Sequence, residues 1–238
     1  MAVWSSMSAT VTKPASGEIR FAIVRRPPSI NDLAAGLLEA GAVRLSPGAP
    51  FTWASGLKSP IYCDNRQLLG FPGLRSSIKA ALAARAALAR PSLIAGTSTA
   101  GIPWAALVAD QLGLPMAYVR PEPKSHGMGR QVEGPSSKGH RVVLIEDLIS
   151  TGGSSIRCVE ALRQEGGEVL EVLALFSYGL PRAEAAFQAA SVALMVLATF
   201  SDLAARAQAQ GLLDAEGMAS LAEWRADTAT WSKRHETV

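Results

Sequence analysis

The stretch Arg141–Ser155, RVVLIEDLISTGGSS, limits what this chain can become more than any other. Val142–Ile145 is a continuous apolar run and reads as a short buried strand. Glu146 and Asp147 follow at once, Ser150–Ser154 turns the chain, and Ile156, Val159 and Leu162 then recur at helical spacing. The order is strand, acidic pair, small-residue loop, helix. Glycine lets the backbone approach a ligand closely and take unusual dihedrals. The helix dipole adds positive potential at the loop, so the place suits a phosphate monoester. Two carboxylates at the end of the strand would repel phosphate, but they suit sugar hydroxyls or a hydrated metal. A ligand with hydroxyls at one end and a phosphate at the other, such as a ribose 5-phosphate, answers to both halves. The pattern is neither the P-loop, since no lysine follows the glycines, nor GxGxxG. Plain helix–strand packing also uses a strand, a Gly-Gly pair and a helix.

Other segments fall around this one in a regular rhythm. Phe71–Arg90 is an Ala/Leu-rich amphipathic helix that packing alone explains. Ser92–Gly96 reads as a buried strand, followed by a second small-residue loop, GTSTAGIP at Gly96–Pro103, and an apolar helix, Trp104–Leu112. That loop suits either close approach of a ligand or close helix–strand packing. Met116–Val119, Val169–Phe176 and Val192–Ala198 supply further strands, with a helix near Arg182–Ala190 between the last two. Ser201 or Asp202 is expected to cap a helix toward Gln210, and Asp214 to open a C-terminal helix running to about Thr230. Strands alternating with helices from Phe71 to Gln210 predict an α/β fold, a central parallel sheet with helices on both faces. Met1–Pro28 has no apparent chemistry and reads as a loosely ordered extension, with the compact domain starting at Ser29.

Three motifs carry a family resemblance. IEDLISTGGSS resembles the phosphoribosyl pyrophosphate (PRPP) motif of the type I phosphoribosyltransferases. FTWASGLKSPIYCDNR, Phe51–Arg66, holds turn signals at Ser55-Gly56 and Ser59-Pro60 and reads as a hairpin; it is similar to the hood segment of orotate phosphoribosyltransferases. Arg120–His140 is a long polar connection rich in Gly and Pro, and loops of that length inside a domain are usually functional or disordered. Its frame YVRPEPKSHGMGRQVEG resembles the catalytic loop of the same family. The resemblance implies a hood over about 29–70, a core over about 71–210 and a C-terminal helix over about 214–230. It also implies transfer of the phosphoribosyl group from PRPP to orotate, giving orotidine 5′-monophosphate and pyrophosphate, with Mg²⁺, in pyrimidine biosynthesis. Arg120, Lys124 and His126 would bind pyrophosphate. Glu146 and Asp147 would hold the ribose hydroxyls, and the turn Leu148, Ile149, Ser150, Thr151, Gly152, Gly153 and Ser154 would complete the PRPP site, with Ser150 also touching orotate. Lys124 and Asp147 are the implied catalytic residues. No protein side chain is expected as a metal ligand, and the partner is a second copy in a homodimer with shared sites. Ala54, Ala100 and Pro121 stand where part of the family has lysine, so no cationic contact is carried over at those positions.

Composition bears on the alternatives. The 238 residues are 48% hydrophobic and 18% charged, enough for a sizeable core. A net charge of +3 without a Lys/Arg block fits an anionic small molecule and does not call for nucleic acid. Cys63 and Cys158 form no metal spacing and read as buried thiols in a reducing compartment. The longest apolar run, Val192–Phe200, is too short for a membrane span, and no signal peptide is evident, so the expectation is a soluble cytoplasmic protein with no length left for fusion to a second enzyme. The competing expectations are a phosphoribosyltransferase for another base and a PRPP-sensing regulator without chemistry.

Overall fold

The computed structural model describes residues 33–53, 55–122 and 130–236. The chain opens with α1 (Leu33–Glu39), β1 (Val43–Leu45), β2 (Phe51–Thr52), β3 (Lys58–Ser59), β4 (Ile61–Cys63) and a 3₁₀ turn, Asn65–Gly70. Then come α2 (Pro72–Ala89), β5 (Leu93–Thr97), α3 (Gly101–Leu112), β6 (Met116–Val119) and β7 (Val132–Glu133). The second half is β8 (Arg141–Ile149), α4 (Gly153–Gln164), β9 (Glu168–Ser177), α5 (Pro181–Ala189), β10 (Ala193–Thr199), α6 (Phe200–Ala209), α7 (Ala215–Ala226) and α8 (Thr228–Arg234).

The main sheet has six strands in the order β10-β9-β8-β5-β6-β7. All neighbours are parallel except β7, which runs antiparallel to β6 at the edge. Successive side chains on a strand point to opposite faces, and β8 shows the consequence. Val143 and Ile145 join the core under α2 and α3, whereas Val142 and Leu144 join the core under α4 and α5. Both faces are therefore dry, which is why the strands read as continuous apolar runs.

Several boundaries differ from the sequence reading. Strand β8 runs on through Glu146 and Asp147 to Ile149, because β9 continues to pair with it there. The polar connection after β6 contains β7, which the sequence reading missed. Phe51–Arg66 is not one hairpin: β2 pairs with β3, but β4 turns away to pair with β1. The cap of α6 is Thr199, not Ser201 or Asp202; Asp202 sits at the third helical position and closes a capping box, its carboxylate accepting from the Thr199 N–H at 3.1 Å. The single C-terminal helix is interrupted at Asp227, whose carboxylate accepts from the Thr230 N–H at 3.0 Å and restarts the chain as α8.

An aromatic cluster joins the small N-terminal strands to the C-terminal helices. Trp53 stacks on Tyr178 with ring centroids 5.4 Å apart and meets the edge of Trp224 at 5.7 Å. The Lys58 N–H donates to Ser232 Oγ at 2.9 Å. Below the sheet, Arg85 of α2 donates to Glu171 of β9 at 2.5 Å, with side-chain exposures of 19% and 6%. Burial raises the Glu171 pKa and the Arg85 charge opposes that rise.

Candidate active site

Strand β5 pairs with β6 on one side and β8 on the other, and from there the chain builds outward in both directions. This is a topological switch point, where a crevice opens at the carboxyl ends of the strands. Residues 98–100 after β5, Arg120 after β6, the end of β8 and the start of α4 all lie at that end. Close packing brings them together. A Cβ on Gly101 would sit 2.5 Å from the Ile145 carbonyl oxygen, and one on Gly96 would sit 2.8 Å from Ala105 Cβ. Glycine at these positions lets α3 lie directly on β5 and β8. Neither α3 nor α4 carries a side-chain cap; at α3 the Ile102 N–H donates to the Thr99 carbonyl at 3.3 Å and Pro103 has no N–H, so it is the start of α4 that offers its first N–H groups to the crevice. At α4 the N-cap is Gly152, with φ of +79°.

The two acids divide between the faces of the sheet, as adjacent strand residues must. Glu146 faces α4: it is 5% exposed, and its Oε2 accepts from Ser155 Oγ at 2.8 Å while Oε1 accepts from the Asp147 N–H at 3.0 Å. Burial, and then the Asp147 charge, raise the Glu146 pKa to about 8. Asp147 is half-buried and faces the N-terminal strands, and its pKa is raised chiefly by burial. Folding thus favours the protonated form of both acids. An acid that holds its proton more tightly folded than unfolded loses stability as pH rises from its unfolded value to its folded one. The ligand-free protein is therefore expected to unfold at progressively lower temperature as pH rises from the ordinary carboxylate range to about 8. Glu146→Gln should flatten that slope; a slope unchanged in the variant would remove Glu146 as its source.

A turn from the N-terminal strands closes over Asp147. Asn65 is fully buried, and its Nδ2 donates to the Asp147 backbone carbonyl at 2.6 Å. Cys63 Sγ donates to Asn65 Oδ1 at 3.2 Å. The thiol of Cys63 is raised by burial and then by the Asp147 charge. Tyr178 lies beneath, its phenol raised by burial first and by Cys63, Tyr62 and Asp147 after it.

The residues singled out in the sequence are placed as follows. Leu148 packs into the core under α2 and α3, and Ile149 into the core under α4 and α5. Ser150, Thr151 and Gly153 are half-buried, Gly152 is buried and Ser154 is exposed, forming the turn into α4. The Arg120 N–H donates to the Gln131 carbonyl at 2.9 Å, and its guanidinium Nε lies 3.6 Å from Glu133 Oε1 on β7. Arg157 Nε donates to the Pro121 carbonyl at 3.2 Å, tying the next residue to α4. Lys124, His126 and Ala54 lie outside the described residues. Asn65 and Ser155 were missed by sequence reasoning. Ser155 had a local signal, since Ser-Ser after Gly-Gly places it on the first turn of α4, beside the strand just left. Asn65 had none, because its partner is 82 positions away.

The arrangement offers a half-exposed carboxylate, the uncapped N-terminus of α4 and a guanidinium at one end of the sheet, which together suit a phosphorylated sugar. The phosphoribosyl transferase domain model matches residues 77–195, half of the chain. The chain is 49% identical over 199 residues to the orotate phosphoribosyltransferase of Listeria innocua, covering 83% of this chain and 95% of the relative. It is also similar to the crystal structure of orotate phosphoribosyltransferase from Aeropyrum pernix, with a TM-score of 0.65 and 36% identity over 76% of this chain and 99% of that one. A third likeness is to the Mycobacterium tuberculosis orotate phosphoribosyltransferase in complex with PRPP, with a TM-score of 0.52 and 27% identity over 60% of this chain and 82% of that one. With the PRPP motif, the sheet order and near-complete coverage of a close relative in agreement, this chain belongs to the orotate phosphoribosyltransferases, within the phosphoribosyl transferase domain family.

Proposed function

We propose that this chain transfers the phosphoribosyl group from PRPP to orotate, yielding orotidine 5′-monophosphate and pyrophosphate in pyrimidine biosynthesis. The observation that carries the reading is the acidic pair at the end of β8 running directly into the uncapped start of α4. In the reaction the bond from the anomeric carbon to a pyrophosphate oxygen breaks and a bond to a ring nitrogen of orotate forms. Positive charge grows on the sugar and negative charge on the leaving group.

Asp147, half-exposed, would accept the ribose hydroxyls and lie near the developing sugar cation. Glu146 would join it, since a carboxylate oxygen can keep the Ser155 bond and accept another donor. The backbone from Leu148 to Ser154 would cradle the 5′-phosphate and orient the ring for attack. Ser150 would touch orotate. Arg120, Lys124 and His126 would stabilise the pyrophosphate as its charge develops, and closure of their connection would exclude water.

Mg²⁺ fits as an ion brought in by its ligands. Among the described residues no cluster of three or more His, Cys, Asp or Glu could hold a metal by itself, and Asp147 would hold the ion through water. When bound, Mg²⁺ neutralises charge on the pyrophosphate. We also propose a homodimer with shared sites, residues 1–28 as an extension, and the hood, core and C-terminal helix divided as above. No helix among the described residues is long and apolar enough to cross a membrane. The two free cysteines support a cytoplasmic setting.

The test is orotate consumption followed by ultraviolet absorbance, with adenine, guanine, hypoxanthine and uracil in parallel. Loss of orotate that requires both PRPP and Mg²⁺ is the expected result. Turnover of another base instead would keep the PRPP site and overturn the choice of orotate. Turnover of no base by folded, PRPP-binding protein would favour a sensor.

A further inference from the structure

Orotate differs from uracil by one ring carboxylate, so an enzyme that selects it needs a cation beside the base. Among the described residues, the turn that closes over Asp147 carries such a cation at Arg66. Asn65 anchors this turn to the Asp147 carbonyl at 2.6 Å, and Arg66 is the next residue along it. Asp64 then aims the side chain. Its Oδ1 accepts from Arg66 Nε at 2.6 Å and from the Arg66 N–H at 3.2 Å, while Oδ2 accepts from Gln67 Nε2 at 3.4 Å. The guanidinium is thus held along its Nε edge, and its two terminal nitrogens make no hydrogen bond among the described residues. The side chain is 66% exposed. Its charge opposes the rise that burial imposes on the Asp147 pKa, and Asp64 and then Asp147 raise that of Arg66 in turn. A guanidinium fixed on one edge and open at the other presents a fork that matches a carboxylate bidentately.

Resting on the proposed reaction, we propose that Arg66 binds the carboxylate of orotate and so sets the preference for a carboxylated pyrimidine. Arg66 lies on a surface turn, and its replacement leaves the core untouched. In Arg66→Gln the KM for orotate should rise about ten- to a hundred-fold, the effect of losing one charge-assisted contact. The KM for PRPP should change little. Competitive inhibition by the methyl ester of orotate, which lacks the charge, should also change little. Arg66→Lys should recover part of the loss, because it restores a point charge without the fork. An unchanged orotate KM in an active Arg66→Gln enzyme overturns the proposal. So does an equal loss for orotate and its ester, or a PRPP KM that rises in step, either of which would make Arg66 a partner of the acidic turn alone. If the unsubstituted enzyme fails to turn over orotate, the reaction assignment fails first, and that result is read before any variant.

Discussion

Lys124→Ala is expected to lower kcat about 10²- to 10³-fold, the loss seen when one preorganised group that stabilises developing charge is removed. Pyrophosphate leaves as a highly charged group, and Lys124 is the cation assigned to meet that charge while Arg120 is already engaged by Glu133 at 3.6 Å. The effect should fall on the chemical step more than on PRPP binding, because the interaction strengthens as the bond breaks. Far-ultraviolet circular dichroism and the thermal midpoint should match those of the unsubstituted protein. Near-normal turnover would remove Lys124 from its role. The same variant tests the shared site. Mixed with an inactive Asp147→Asn variant, it should recover activity in proportion to the heterodimer formed. Confirmed heterodimers with no recovery would count against sharing.

Arg85→Ala is expected to destabilise the fold by about 3–5 kcal/mol while leaving the KM values nearly unchanged. Arg85 is the partner of Glu171, which is 5% exposed in the middle of the sheet. Removing the arginine leaves a carboxylate buried without compensation. The Glu171 pKa, already raised by burial against the opposing Arg85 charge, should rise further. The carboxyl escapes part of the penalty by taking up a proton. The destabilisation should therefore be largest at neutral pH and shrink toward acid pH, since the raised folded pKa makes stability fall as pH rises. Urea unfolding of the ligand-free protein at both conditions measures this. Arg85→Met combined with Glu171→Leu should recover most of the loss, because a well-packed apolar pair can replace a buried ion pair. Equal loss at every pH would mean that Arg85 contributes packing and not charge. Glu171 is level with Val143 on β8, short of the acids, which is why catalysis should be spared.

These two residues also mark how much was legible in advance. The role of Lys124 is implied by the resemblance of its frame, YVRPEPKSHGMGRQVEG, to the family's catalytic loop, and the residue lies outside those the structure describes. Arg85 was read only as part of an amphipathic helix, and nothing nearby announced Glu171, which lies 86 positions later. The strands and helices of the core were readable because burial on both faces leaves unbroken apolar runs, and Gly and Pro mark their ends. Boundaries moved where a partner strand decided them, as at the end of β8, or where an extended residue made the better cap, as at Thr199.

By itself, the sequence determined the α/β class, the strand–acids–loop–helix unit and the residue types gathered in it. Each of these depends on local periodicity, on backbone freedom at glycine, or on charge, and all three are properties of neighbours in the chain. Only the tertiary structure decided that β5 and β8 lie side by side at the switch point, that Glu146 is held by Ser155 while Asp147 stays half-exposed, and that Asn65 reaches the Asp147 carbonyl. Those facts depend on which distant segments bury one another best. That choice is made by the whole core at once and leaves no local periodic trace.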